Sequence, residues 1–184
     1  MILPVYIYGS PVLRKVAREV EQDEQGLDQF IQDLWETMHH SDGIGLAAPQ
    51  VGKSIRVFVV DGTPLEKDDP ALKDFRMTFI NPEMLERYGD DKTYEEGCLS
   101  IPEIREEIVR PEKVRIRWYD ADFNPHEEEF EGIGARIIQH EYDHLQGILF
   151  TDKVAPLKKR MLRGKLNAIA KGKFDVKYKV KVPK

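Results

Sequence analysis

GIGARIIQHEYDHLQG, residues Gly132 to Gly147, is the stretch on which the fold turns. Ile133, Ile137, His140, Glu141, His144 and Leu145 recur at the three- and four-residue spacing of one helix face, so the pattern predicts a helix over this segment. Within it, His140-Glu141-Tyr142-Asp143-His144 sets two imidazoles four residues apart. Residues at that spacing stand one turn apart on the same face, so both rings can reach one divalent ion. Glu141 lies one step round the helix, within reach of a water on that ion. This is the H-E-x-x-H arrangement of metal hydrolases. The competing account is a charged helix surface with two incidental histidines. The apolar neighbours on a strongly periodic helix weigh against it.

Working outward, Leu27 to His40 carries Leu27, Phe30, Ile31, Leu34, Trp35 and Met38 on one face and predicts a second helix, closed by Ser41-Asp42-Gly43. Ser10-Pro11 opens a short helical turn through Arg18, with serine as N-cap and proline at the first helical position. Ile55 to Asp61 reads as a buried, valine-rich strand, and Gly62 to Asp74 as a loop. Arg76 to Tyr119 reads as several strands broken at Asn81-Pro82, Gly89-Asp90 and Ile101-Pro102, with a further strand over His126 to Phe130. A last helix is expected over Pro156 to Ala170, and an exposed strand over Phe174 to Val182, where apolar residues alternate with lysine. The order points to an α+β fold, with antiparallel sheets packed around a central helix carrying the H-E-x-x-H motif and a C-terminal helix after it.

A chain of 184 residues suits one domain, 1–184, in which 153–184 form a basic C-terminal helix and tail. The single cysteine, Cys98, excludes an intrachain disulfide and fits a reducing compartment. The N-terminal MILPVYIYGSPVLRK lacks the charge and apolar pattern of a signal peptide, and no 18-residue apolar window is present. A cytoplasmic location without membrane contact is therefore expected. The net charge of −5 conceals a split: Lys153 to Lys184 holds twelve Lys and Arg against one acid, Asp175. That tail is either an arm for a polyanion or a solvated terminus.

A catalytic metal site usually has three protein ligands and an open position. No histidine follows His144, and the only later acids are Asp152 and Asp175, so the search turns upstream. Glu96-Gly97-Cys98-Leu99-Ser100 offers a thiol, although alone Cys98 reads equally as a small buried strand residue. Gly43-Ile44-Gly45-Leu46-Ala47-Ala48-Pro49-Gln50 has little bulk, so a ligand backbone can lie against it, and Gln50 offers an amide to an oxyanion. Alone, it also reads as a glycine-rich turn.

Together and in this order, Gly43–Gln50, Glu96–Ser100 and Gln139–Gly147 resemble the three signature motifs of the peptide deformylase family, with no departure at the fixed positions. Ser10-Pro11-x-Leu13-Arg14 and Ile101-Pro102 extend the resemblance, which runs from about residue 2 to 160. It implies Cys98, His140 and His144 as metal ligands and Glu141 as general base and acid. Gln50 and the Leu99 N–H become the oxyanion donors. Gly43, Gly45 and Gly97 would hold the substrate backbone, while Ile44, Ile133 and Ile137 would line the methionine pocket. Arg136 interrupts that apolar run.

The resemblance further implies one divalent ion, Fe(II) in preference to Ni, Co or Zn, and N-formyl-methionyl peptides as substrate. The formyl group would leave as formate. Docking of the basic C-terminal segment on the ribosome, near rRNA at the exit tunnel, is a further expectation, with no role for DNA. Glu96, Arg110 and Asp143 are expected to cluster behind the site, the other account being that Arg110 lies on a surface strand edge. The alternatives are a zinc peptidase of the H-E-x-x-H type and a non-catalytic metal- or redox-sensing module built on Cys98. The first lacks its downstream ligand, and the second has no reason to retain Glu141.

Overall fold

The structure is a computed structural model and describes residues 1–184. Its elements run β1 (Val5–Tyr6), α1 (Leu27–His40), β2 (Gly45–Ala47), β3 (Val57–Asp61), β4 (Arg76–Cys98), β5 (Ile101–Tyr119), β6 (Pro125–Glu131), α2 (Gly132–Leu145), α3 (Pro156–Ala170) and β7 (Val180–Lys181). Strands β2 to β6 form one antiparallel sheet in chain order. β1 and β7, the two ends of the chain, form a separate pair, which is parallel rather than antiparallel.

The sheet lies between helices, and the pleat of β3 shows how. Phe58 and Val60 point toward α2 and pack with Phe79, Trp118, Ile138 and Leu145. Val57 and Val59 point the other way, toward Leu34 and Met38 of α1. Alternate side chains of a strand face opposite sides, so a continuous valine-rich run is what a strand covered on both faces requires. A third cluster joins Leu162, Leu166 and Ile169 of α3 to Ile104 and Ile108 of β5 and to Ile7 beyond β1. α2 is thus packed across the sheet, with the imidazoles of its last turns directed at the junction of β4 and β5.

Both ends of α1 and α3 fall where the periodicity puts them. The strands differ more. Arg76–Tyr119 is two long strands, not several. Asn81-Pro82 and Gly89-Asp90 are shifts of register within the β4–β5 ladder, with Asn81 and Gly89 at φ 49° and 81°. A bulge absorbs a proline or glycine by bending the strand instead of ending it. The chain reverses at Leu99-Ser100, and Ile101-Pro102 opens β5.

The expected strand from Ile55 starts at Val57, while Ile55 bridges Arg18. The expected turn at Ser10 is a 3-10 turn over Pro11–Arg14. It ends there, and the Ser10 side chain makes no cap. Of Phe174–Val182 only Val180–Lys181 is strand, although Phe174, Val176, Tyr178 and Val180 are half-buried between exposed lysines and Asp175. On α3, Leu157 and Met161 stay exposed.

Candidate metal centre

His140 and His144 leave α2 on one face, as their spacing requires, and meet Cys98 at the end of β4. The candidate ligand atoms of the three side chains all lie within 4.8 Å of one another. Cys98 Sγ is 3.4 Å from His144 Nε2, and the two imidazole centroids are 5.2 Å apart. Residues two apart on a strand share a face, so Glu96 and Cys98 both turn toward α2.

Glu96 fixes the first histidine: its Oε1 is 2.8 Å from His140 Nδ1. That contact turns His140 Nε2 toward the thiol, the usual arrangement by which a carboxylate orients a ligating imidazole. Behind it lies a dense charged network. Arg110 donates from Nε and Nη2 to Glu96 at 2.7 and 3.0 Å, and from Nη1 to Asp143 at 2.7 Å. Arg87 donates to the other Asp143 oxygen at 2.9 Å. Arg110 is 2 % exposed, so the surface-edge account of it fails. Arg136 is buried as well, donating to Glu96 at 2.7 Å and to the carbonyls of Ile108 and Lys92. It interrupts the apolar run because it serves this network.

Burial opposes ionisation of Glu96, but His140 and Arg110 outweigh it and hold the carboxyl far below the usual range. Burial also lowers His140, yet its hydrogen bonds to Cys98 and Glu96 prevail and raise it well above the ordinary value. His144 goes the other way, pushed well down by burial and by His140.

Glu141 is buried, with Oε1 4.0 Å from His140 Nε2. Burial lifts its carboxyl to about 7. Glu141 Oε2 and His144 Nδ1 are buried polar atoms with no partner in the protein. Gly45 packs directly against this carboxylate: a Cβ there would stand 2.6 Å from Glu141 Oε1. The absence of a side chain at Gly45 is therefore what lets Glu141 occupy its position. Gln50 is fully buried, its Oε1 accepting from Ala47 N at 3.0 Å. That bond orients the amide so that Nε2 faces Ser100 Oγ at 3.1 Å and Cys98 Sγ at 3.4 Å.

These groups open onto a cleft of about 670 Å³. Gly43, Ile44, Gly45, Gln50, Gly97, Cys98, Leu99, Ile133, Ile137, His140 and Glu141 all line it, while His144 lies beneath. Sequence reasoning missed Leu65, Tyr94, Arg105, Val176 and Tyr178, which line it too. Leu65 comes from a segment read only as loop, and Tyr178 from a tail read only as exposed strand. The alternation of Val176 and Tyr178 with lysines was the one available sign that these two face inward. The Tyr178 phenol is pushed up to about 12, chiefly by burial, so it stays a donor.

The donor set fits a divalent ion of borderline softness. One thiol and two imidazoles converge, one imidazole is oriented by a carboxylate, and a buried carboxylate stands alongside without a partner. Three protein donors rather than four leave a position open, as in catalytic and not structural sites.

Comparison with known proteins gives a consistent set of relatives. The family model described as Polypeptide deformylase matches residues 2–160. The peptide deformylase of Cytophaga hutchinsonii is 48% identical over 183 residues, covering 100% of this chain and 98% of the relative. That of Christiangramia forsetii is 45% identical over 190 residues, covering 100% and 97%. Among solved structures, a peptide deformylase from Legionella pneumophila superposes with a TM-score of 0.80 at 37% identity, over 93% of this chain and 96% of that one.

Proposed function

The chain belongs to the peptide deformylase family, and from that premise we propose how its own residues carry the reaction. It is a hydrolase that removes the N-formyl group from the N-terminal formyl-methionine of newly made polypeptides and releases formate. The observation that carries the assignment of roles is the convergence of Cys98, His140 and His144, with Glu141 buried beside them.

Cys98, His140 and His144 would hold one divalent ion. The family resemblance favours Fe(II), with Ni, Co or Zn tolerated. When bound, such an ion acts as a Lewis acid, lowering the pKa of water and polarising the formyl oxygen. Glu141 takes the proton as water attacks the formyl carbon, then delivers it to the methionine nitrogen as the C–N bond breaks. A buried carboxylate beside the ligands, with one oxygen free of protein partners, is placed to make both transfers.

Gln50 Nε2, whose orientation is set through Ala47, and the Leu99 N–H donate to the developing oxyanion. Gly43, Gly45 and Gly97 receive the peptide backbone, and Ile44, Ile133 and Ile137 take the methionine side chain. We read 1–184 as one catalytic domain acting in the cytoplasm. No helix is long and apolar enough to cross a membrane.

The finer partner proposal is that 153–184 docks on the ribosome. Lys159, Arg160 and Arg163 of α3 stay exposed and rim a hollow of about 300 Å³ beside Tyr8. By contrast, Lys158 and Lys165 are engaged with Glu106 and the Glu103 carbonyl.

The deciding experiment is anaerobic purification followed by formate release from formyl-Met-Ala-Ser, with metal measured on the same sample. Turnover that tracks metal content is expected. Cleavage of an unformylated peptide without formate would instead favour the zinc-peptidase reading.

A further inference from the structure

The family-model match ends at residue 160, yet the chain beyond α3 returns to the cleft. β7 pairs with β1, and Ile7 N donates onward to Lys181 O at 3.0 Å. The next residue along, Tyr8, donates its N–H to Ser100 O at 2.8 Å. Just before β7, the Tyr178 hydroxyl donates to Leu99 O at 2.7 Å. Asp175 N reaches Glu103 Oε1 at 3.1 Å. The Leu99-Ser100 turn is therefore clasped from outside by both chain ends and from inside by Gln50, which donates to Ser100 Oγ. The Leu99 side chain fills the space beside Gly43, where a Cβ would stand 3.1 Å from Leu99 Cδ1.

We propose that the C-terminal segment is a working wall of the substrate cleft, and that Tyr178 is a positioning residue whose hydroxyl holds Leu99 where its N–H faces the oxyanion. The inference rests on the reading of Leu99 as an oxyanion donor. Its physical basis is the position of the bond. The Leu99 N–H lies in the Cys98–Leu99 peptide and the Leu99 carbonyl in the next one, so the two planes share only the Leu99 Cα. The Tyr178 hydroxyl on that carbonyl, with Tyr8 N on the following carbonyl of Ser100, fixes the Leu99–Ser100 side of the turn and so anchors the Cα from which the donor's peptide hangs, and β7, tied to β1, holds the tyrosine in place. A donor contributes to the rate only when it is aimed before the charge develops.

The test is Tyr178→Phe in the full, metal-loaded chain, which deletes one oxygen and keeps the ring. On formyl-Met-Ala-Ser, kcat should fall about 3- to 10-fold, less than the loss of a whole oxyanion donor, with KM within about twofold and metal content unchanged. Amide hydrogen exchange in the peptide spanning residues 96 to 102 should quicken, a readout that needs no turnover. A parental kcat in the variant, or unchanged exchange, overturns the proposal. So does a loss confined to KM, which would make the tyrosine a simple contact surface. If the parent itself released no formate, the deformylase reading would fail, and the exchange measurement would still decide whether Tyr178 clasps the turn.

Discussion

Two sides of the β4–α2 junction are built from nearly adjacent residues and differ in one respect. Behind the histidines, Glu96, Arg110, Asp143, Arg136 and Arg87 form a network in which each carboxylate oxygen meets a partner. In front, on the cleft, Glu141 Oε2 is buried without one. Buried charge is costly unless paired, so the rear arrangement is what permits Glu96 to sit under His140. The unpaired front is the part that must still accept something: an ion, a water or a proton. At this junction the satisfied carboxylates support a histidine, and the carboxylate left unsatisfied is the one to which the proton transfers are assigned.

If that division holds, the largest effects come from the front. Cys98→Ala should release the metal and with it turnover, since two imidazoles hold a catalytic ion poorly. Metal analysis on the purified variant checks this, and full occupancy would place the third ligand elsewhere. Glu141→Gln should keep the metal but lose at least about 10²-fold in kcat, because an amide cannot accept the water's proton. Ordinary turnover there would remove Glu141 from the proposed role.

Breaking the rear should act through stability and affinity instead. Arg110→Met takes three donors from two buried carboxylates, leaving Glu96 to Arg136 and His140 and Asp143 to Arg87. The cost should approach that of breaking a buried pair, about 3 to 5 kcal/mol. Tm should fall on the order of 10 °C, and metal affinity by roughly 10- to 100-fold as His140 loses its oriented Glu96. A variant with parental Tm and metal affinity would show that the network is incidental.

Gly45→Ala sharpens the boundary between the two sides. The new methyl would press on Glu141 Oε1, so kcat should fall roughly tenfold with metal retained, a fraction of what a full misplacement costs. A change in KM alone would mean that Gly45 matters only as a backbone surface for substrate. The smallest effect on chemistry is expected from Lys159, Arg160 and Arg163 changed together to Gln. Formate release from a free tripeptide should stay as it is while ribosome co-sedimentation at low salt weakens. Each lost phosphate contact would take up to about 0.9 from the slope of log K against log salt. Unaltered co-sedimentation would leave α3 as a structural helix only.

Much of this was legible in the chain itself. The bounds of α1 and α3 follow from local periodicity, because a helix satisfies its own backbone and repeats its apolar face every three or four residues. The two histidines and Glu141 are likewise fixed relative to one another by helix geometry alone. The sequence also brings Gly43–Gln50, Glu96–Ser100 and Gln139–Gly147 into one pattern through their resemblance to a family.

What needed tertiary structure is everything that depends on a partner distant in sequence. Breaks read at Asn81-Pro82 and Gly89-Asp90 became bulges because the facing strand β5 continues past them. Arg136 looked like an interruption, and Arg110, expected in a cluster with Glu96 and Asp143, still had a strand edge as its other account until the two carboxylates were seen to neutralise both arginines within the core. Tyr178 reaches Leu99 across 79 positions only because β7 is carried to β1. Periodicity records which face of an element is apolar. It does not record which charges will meet, since that is settled when the elements pack and each buried group must find its counterpart.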